Sequence, residues 1–219
     1  MKKVFVSASA LVLAAVMVRG ANLGIERVSF GQAIGANAAV EQVTVSGDGR
    51  YIAFTSSANN LVAGDTNFAR DIFVYDRQTG VITRVSVATG GTQANGDSSA
   101  PSLSDDGRLV AFISAANNLV DGDTNSVDDA FVHDRDTGIT TRVSVSSAGV
   151  QANGDSYDAR ISGNDRYVAF ASFADNLVTD DLAGKMDVFR HDRQSGETIR
   201  VSKPKNEEAD DHSGPRGNV

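Results

Sequence analysis

From residue 43 onward, short apolar runs alternate with polar, turn-forming stretches. The runs VTVS (43–46), RYIAFTS (50–56), DIFVYD (71–76) and VITRVSV (81–87) are rich in Val, Ile, Phe, Tyr and Thr, residues that suit a pleated, half-buried surface. Gly47-Asp48-Gly49 and Arg77-Gln78-Thr79-Gly80 have the composition of tight hairpin turns, because Gly and Asp tolerate the positive φ such turns require. The longer connections, 57–70 and 88–100, consist mainly of Asn, Gly, Ser, Thr and Asp. No stretch beyond the N-terminal segment sustains a 3.6-residue period, so helix is predicted to be minimal. The segments IAF and IFV are apolar at consecutive positions, as expected of strands covered on both faces.

The pattern repeats. SGDGRYIAFTSSANNLVAGDTNFARDIFVYDRQTGVITRVS begins at Ser46, and its copies begin at Ser104 and Ser162, a period of 58 residues. The first two copies share 27 of 41 positions without a gap, which establishes an internal repeat. A second shared stretch lies between copies, GGTQANGDSSAPSLS at Gly90 and AGVQANGDSYDARIS at Ala148, and a decayed version starts at Ile25. Each repeat predicts four antiparallel strands. The fold class is therefore all-β, with β-propeller-type blades of four strands, about three repeats over 21–202, and a ring left incomplete in this chain. Phe54, Phe112 and Phe170, with Ile72, Phe73 and Phe131, are predicted to lie between blades. Three arrangements accommodate three blades: a piece of a longer propeller, two chains completing a six-bladed ring by self-association, or an open arc.

The stretches SGDGRYIAF and SDDGRLVAF, followed by DIFVYDRQTG and its copies, resemble the WD40-like, TolB-type β-propeller repeat of bacterial exported proteins. That repeat commonly has Pro where this chain has Gly47 and Asp105, and the third copy departs further with Gly163-Asn164-Asp165. The resemblance spans residues 25–202. It implies a fold and leaves the activity open, since propellers host many unrelated functions.

Met1-Lys2-Lys3 followed by the uncharged run Val4–Val18 matches the n- and h-regions of a secretory signal peptide, assigned to residues 1–20. The expected location is periplasmic or secreted, in a bacterium. The tail 203–219 carries Ser213-Gly214-Pro215, similar to the Ser99-Ala100-Pro101 lead-in of a further repeat. The net charge of −8 argues against nucleic acid as a partner, because such surfaces need stripes of Lys and Arg. The absence of Cys excludes disulfides, thiolate metal sites and cysteine nucleophiles.

The loops GDTNFARD (64–71) and GDTNSVDD (122–129) place Asp65, Asn67 and Asp71, and again Asp123, Asn125 and Asp129, at i, i+2 and i+6. Alternating oxygen ligands on a short loop suit a hard cation, and calcium is the candidate cofactor. The competing reading is that these side chains cap the loop's own backbone. The third copy, DDLAGKMD, keeps Asp181 and Asp187 but has Ala183 in place of Asn. Asp76-Arg77 and its copies, with Arg84, Arg142 and Arg200 across the hairpin, read as stabilising carboxylate–guanidinium ladders. His133 and His191 stand where the first repeat has Tyr75, so both read as packing residues. The QANGDS loops read as inter-blade turns, with glycan binding the alternative. No Gly-x-Ser-x-Gly elbow or phosphate-binding loop is present. Together these features point to an exported, non-enzymatic module that binds a protein or envelope component. The alternative is part of a propeller-type enzyme, such as a polysaccharide lyase or a peptidase-associated propeller.

Overall fold

The computed structural model describes residues 35–181 and 185–202; the signal-peptide assignment, the lead-in from Ile25 to residue 34 and the tail 203–219 lie outside them. Twelve strands form three four-stranded antiparallel sheets, and no helix occurs among the described residues. The first blade contains β1 (Val40–Val45), β2 (Tyr51–Ser56), β3 (Asp71–Asp76) and β4 (Val81–Arg84). The second contains β5 (Ser98–Leu103), β6 (Leu109–Ser114), β7 (Asp129–Asp134) and β8 (Ile139–Arg142). The third contains β9 (Ser156–Ile161), β10 (Tyr167–Ser172), β11 (Asp187–Asp192) and β12 (Thr198–Arg200). Strands pair in chain order within each sheet. The first strands adjoin one another from blade to blade, β1 beside β5 and β5 beside β9, so they form the inner side of the arc.

Two predicted boundaries shift, each for a local reason. The first strand begins at Val40 rather than 43 because its ladder breaks between Glu41 and Thr44. The bulge there puts Gln42 at φ +45, and its equivalents Ala100 and Asp158 lie at +53 and +51; a bulge inserts a residue and hides the two-residue alternation. The fourth strand ends at Arg84 rather than 87 because the Ser86 hydroxyl, not a backbone carbonyl, takes the Ile72 N–H at 3.1 Å. The connection predicted at 88–100 is shorter, since β5 starts at Ser98.

Each sheet has a leading face toward the preceding blade and a trailing face toward the next. Ala53, Ile72, Val74 and Val85 on the first blade's trailing face pack with Leu103, Val110, Phe112, Leu119 and Phe131 of the second. Phe170 and Phe189 of the third blade pack with Ala111, Ile113, Ala130 and Val132 of the second. Phe54 and Phe73 lie instead on the first blade's leading face, with Ala58, Leu61, Ala36 and Val40. Of the predicted inter-blade residues, these two therefore do not lie between described blades. In every blade the two Phe rings stack, with centroids 5.8, 5.8 and 5.7 Å apart.

The turn between β5 and β6 shows why the second blade has glycine there. Gly107 has φ +69, and a Cβ at this position would sit 2.2 Å from the Tyr51 ring of the first blade. The backbone conformation favours glycine, and the approach of the neighbouring blade leaves no room for a side chain.

Candidate functional site

The hairpin register fixes the surroundings of the loop carboxylates. Because Asp76 pairs with Val81 and Phe73 with Arg84, the chain beyond β4 brings Ser86 opposite Asp71. Ser86 Oγ donates to Asp71 Oδ1 at 2.5 Å, and Asn67 Nδ2 donates to Asp71 Oδ2 at 3.0 Å. Arg84 Nη1 lies 3.2 Å from Asp65 Oδ1 and 3.6 Å from Asp71 Oδ2. The second blade repeats the arrangement, with Arg142 Nη1 3.3 Å from Asp123 and 3.2 Å from Asp129, and Ser144 Oγ donating to Asp129 at 2.6 Å. Asn125 Nδ2 likewise donates to Asp129 at 3.0 Å. In the third blade Arg200 Nη1 lies 3.1 Å from Asp181 and 3.6 Å from Asp187.

The structure thus brings together the residues predicted to share a cation, Asp65/Asn67/Asp71 and Asp123/Asn125/Asp129. The cation between the carboxylates is a guanidinium of the same blade. A calcium ion would have to enter against Arg84 or Arg142, and Asn67 and Asn125 turn their amide N–H toward the aspartates. Among the described residues no group of three or more His, Cys, Asp or Glu is arranged to hold a metal ion. Burial pushes the carboxyls of Asp65 and Asp71 above the ordinary range, and Arg84 acts against it. Burial does the same to Asp123, with Arg142 opposing it. Asn67 and Asn125 also reach the next blade, donating to the Ala94 and Ala152 carbonyls at 2.9 and 2.8 Å. Each cluster therefore folds its loop and fastens it to the connection that leads to the following sheet.

The ladder expected between Asp76 and Arg84 does not form. Asp76 is held bidentately by Arg50, through Nε at 3.0 Å and Nη2 at 2.7 Å. Arg108 holds Asp134 in the same way, and Arg166 holds Asp192. These hydrogen bonds keep the carboxyls of Asp76 and Asp192 well below the usual range and that of Asp134 at about 2. The hairpin turns carried the signal for this: Asp76 faces Tyr51 across the β2–β3 ladder, which puts Arg50, not Arg84, within reach.

His133 and His191 are buried packing residues, as predicted. Thr140 Oγ1 donates to the Val87 carbonyl of the first blade at 2.5 Å, so the His133 Nδ1 contact at 2.8 Å is a donation from the ring to Thr140. His191, Thr198 and Val145 repeat the chain between the second and third blades. Burial lowers the pKa of both imidazoles. The QANGDS loops are likewise inter-blade ties. Asn95 exchanges hydrogen bonds with Asn117 and Asn118, while Gln93 Nε2 donates to Thr66 Oγ1 of the preceding blade at 2.9 Å.

Against this repetition a few features stand out by belonging to one blade. Phe68 sits at φ +58 with its side chain in solvent, 93% exposed, where the second blade has Ser126 at φ +57. The sequence marked the loop but not this ring, because exposure and φ are tertiary facts. Arg190 replaces the buried Val74 and Val132, and Asp158 and Arg160 form an exposed pair at 3.6 Å on β9.

No family model and no curated protein matches the sequence. Similar folds are found among solved structures. TolB from Acinetobacter baumannii is 19% identical, with a TM-score of 0.49, over 78% of this chain and 34% of that one. A putative TolB from Agrobacterium tumefaciens is 18% identical with a TM-score of 0.44, over 74% and 48%. A structure of prolyl endopeptidases is 16% identical with a TM-score of 0.48, over 76% and 22%. The chain resembles TolB-type propellers. It spans about a third to a half of the TolB chains that it matches, and the likeness is one of fold.

Proposed function

We propose that this chain is an exported, non-enzymatic propeller module that binds a protein or cell-envelope component through the loops at the GDTN end of its arc. The observation that carries this reading is Phe68. A non-glycine residue in the left-handed region costs about 1–2 kcal/mol, and a fully solvated Phe ring forgoes its burial. Exposed aromatic side chains on positioned loops are frequent anchors of protein interfaces. By contrast, the titratable clusters recur blade by blade and are used in holding loops and sheets, whereas a catalytic site on a propeller is expected to break that repetition. Export rests on the sequence of residues 1–20. Each GDTN loop already holds one guanidinium, Arg84 or Arg142, between its two carboxylates.

The test is to pan a displayed peptide library over the mature chain, residues 21–219, and to measure selected peptides against Phe68→Ser. Ser126 shows that Ser accommodates the same φ, so the variant keeps the loop. Loss of at least tenfold in affinity is expected. Peptides that bind the variant and the parent equally would overturn the reading.

A further inference from the structure

The two blade junctions of the arc carry different charges at the GDTN end. Where the first blade meets the second, Arg70 Nε lies 3.2 Å from Asp97 Oδ2, and the Arg70 backbone N–H donates to Asp97 Oδ1 at 2.9 Å. One repeat later the two residues are Asp128 and Asp155. The backbone bond is kept, with the Asp128 N–H donating to Asp155 Oδ1 at 3.0 Å. The chain therefore runs alike at both junctions, while a guanidinium at the first is replaced by a second carboxylate at the other. Burial pushes the Asp128 carboxyl above the ordinary range, and the charges of Asp155, Asp129 and Asp97 push the same way against Arg70. Arg70 is itself already paired with Asp97. Carboxylates that crowd one another favour the approach of a cation.

Two aromatic residues arrive at the same place. Tyr157 stands where the earlier copies have Glu41 and Ser99, and Phe173 where they have Ser57 and Ala115. Their rings meet edge to face, with centroids 6.0 Å apart and planes at 87°, and Phe173 is 43% exposed. The Phe173 N–H donates to the Asp155 carbonyl at 3.0 Å, and the Tyr157 hydroxyl donates to Asp155 Oδ2 at 3.4 Å. Burial raises the pKa of that hydroxyl, and Asp155 and then Asp128 raise it further, so both carboxylates act on the end of the ring. The four residues belong to the loop before β7, the connection into β9 and the adjoining ends of β9 and β10. They lie where two described blades meet, not at an end of the arc.

Aromatic rings beside paired carboxylates suit a cation on an apolar stem. The rings offer cation–π attraction and apolar contact, and the carboxylates offer charge-assisted hydrogen bonds. We infer that this junction receives a lysine or arginine side chain of a protein partner, with its charged head at Asp128 and Asp155 and its stem against Tyr157 and Phe173. The first junction shows the fit within the chain, because Arg70 supplies there the cation that the partner supplies here. A hydrated metal ion would gain nothing from the Tyr157–Phe173 pair, and no metal-holding group of three or more His, Cys, Asp or Glu occurs among the described residues. The inference rests on the reading that the GDTN end is the binding end, and it adds the chemistry of the partner. Arg70, two residues from Phe68, and Asp97 connect the two places.

The experiment takes peptides selected from a displayed library on the mature chain, residues 21–219. Each Lys is replaced in turn by norleucine and each Arg by citrulline, and affinities are measured for the parent, Asp128→Arg and Asp121→Arg. Asp128→Arg restores the pairing of the first junction, and Asp121→Arg makes the same change of charge at an exposed position of the same loop. Replacing one basic residue is expected to cost at least tenfold on the parent and on Asp121→Arg, and less than twofold on Asp128→Arg. Tyr157→Ser with Phe173→Ala, the residues of the second blade, is expected to weaken the same peptides at least fivefold. Peptides without a basic residue, a basic residue whose loss costs the same on Asp128→Arg as on the parent, or unchanged binding by the aromatic double variant would overturn the inference. Phe68→Ser separates it from the function proposed above. Loss of binding on Phe68→Ser without coupling to Asp128 supports that function and overturns this inference, and coupling to Asp128 without loss on Phe68→Ser does the reverse. A library that yields no binder overturns both.

Discussion

Replacing Arg142 by Met tests whether the guanidinium is the cation of its loop. Arg142 lies 3.3 Å from Asp123 and 3.2 Å from Asp129, with side chains 11%, 3% and 0% exposed respectively. Met keeps most of the apolar volume and removes the charge, so two buried carboxylates are left facing each other. Removing one partner of a buried pair costs about 3–5 kcal/mol, because the remaining charge is desolvated and uncompensated. Asp129 retains its bonds from Ser144 and Asn125, which softens the loss and favours the lower half of that range. With a urea slope of about 2 kcal/mol/M, the midpoint should fall by about 1.5–2 M. The cost should also depend on pH. Asp123 is already raised by burial, and without Arg142 it rises further, so the native state takes up protons before the unfolded state does. Stability of the variant should therefore increase as pH falls from 7.5 toward 5, recovering part of the loss. Asp123→Asn and Asp129→Asn added to Arg142→Met should recover most of it at pH 7.5. A cost below about 1 kcal/mol at pH 7.5, or one unchanged at pH 5, would refute the reasoning.

Phe112→Ala should cost about 3–5 kcal/mol in urea unfolding, because the ring is fully buried between the first two blades beside Phe131 and the site is close-packed. The lowered pKa of His133 means that the unfolded state, not the native one, gains the proton as pH falls below about 6.5. Stability from this group is thus full above that pH and is lost as pH falls through the depressed native value; His133→Tyr with Thr140→Ile, the pair of the first blade, should flatten the dependence between pH 6.5 and 5. Millimolar calcium should leave the melting temperature unchanged, since a guanidinium holds each loop; a rise that Asp123→Ala abolishes would show that calcium displaces it.

The 58-residue repeat, the hairpin turns and the runs IAF and IFV determined twelve strands and their order, because short-range alternation and turn chemistry are local properties. They also placed Phe112, Phe131 and Phe170 correctly between blades. The loop aspartates were legible as a cluster, since repetition at fixed spacing marks residues that act together. What the cluster holds was decided only in three dimensions. Arg84 lies 13 residues beyond Asp71 in sequence, and the β3–β4 register brings its guanidinium to Asp65 and Asp71. The partner of Asp76 was likewise a matter of register, with Arg50 arriving from the neighbouring ladder. Exposure of Phe68, closure over Phe54 and the carboxylates at the junction of the second and third blades depend on which surfaces meet. An arginine and an aspartate at equivalent positions look like ordinary divergence along the chain, and the difference acquires meaning only when Arg70 is found on Asp97 and Asp128 beside Asp155.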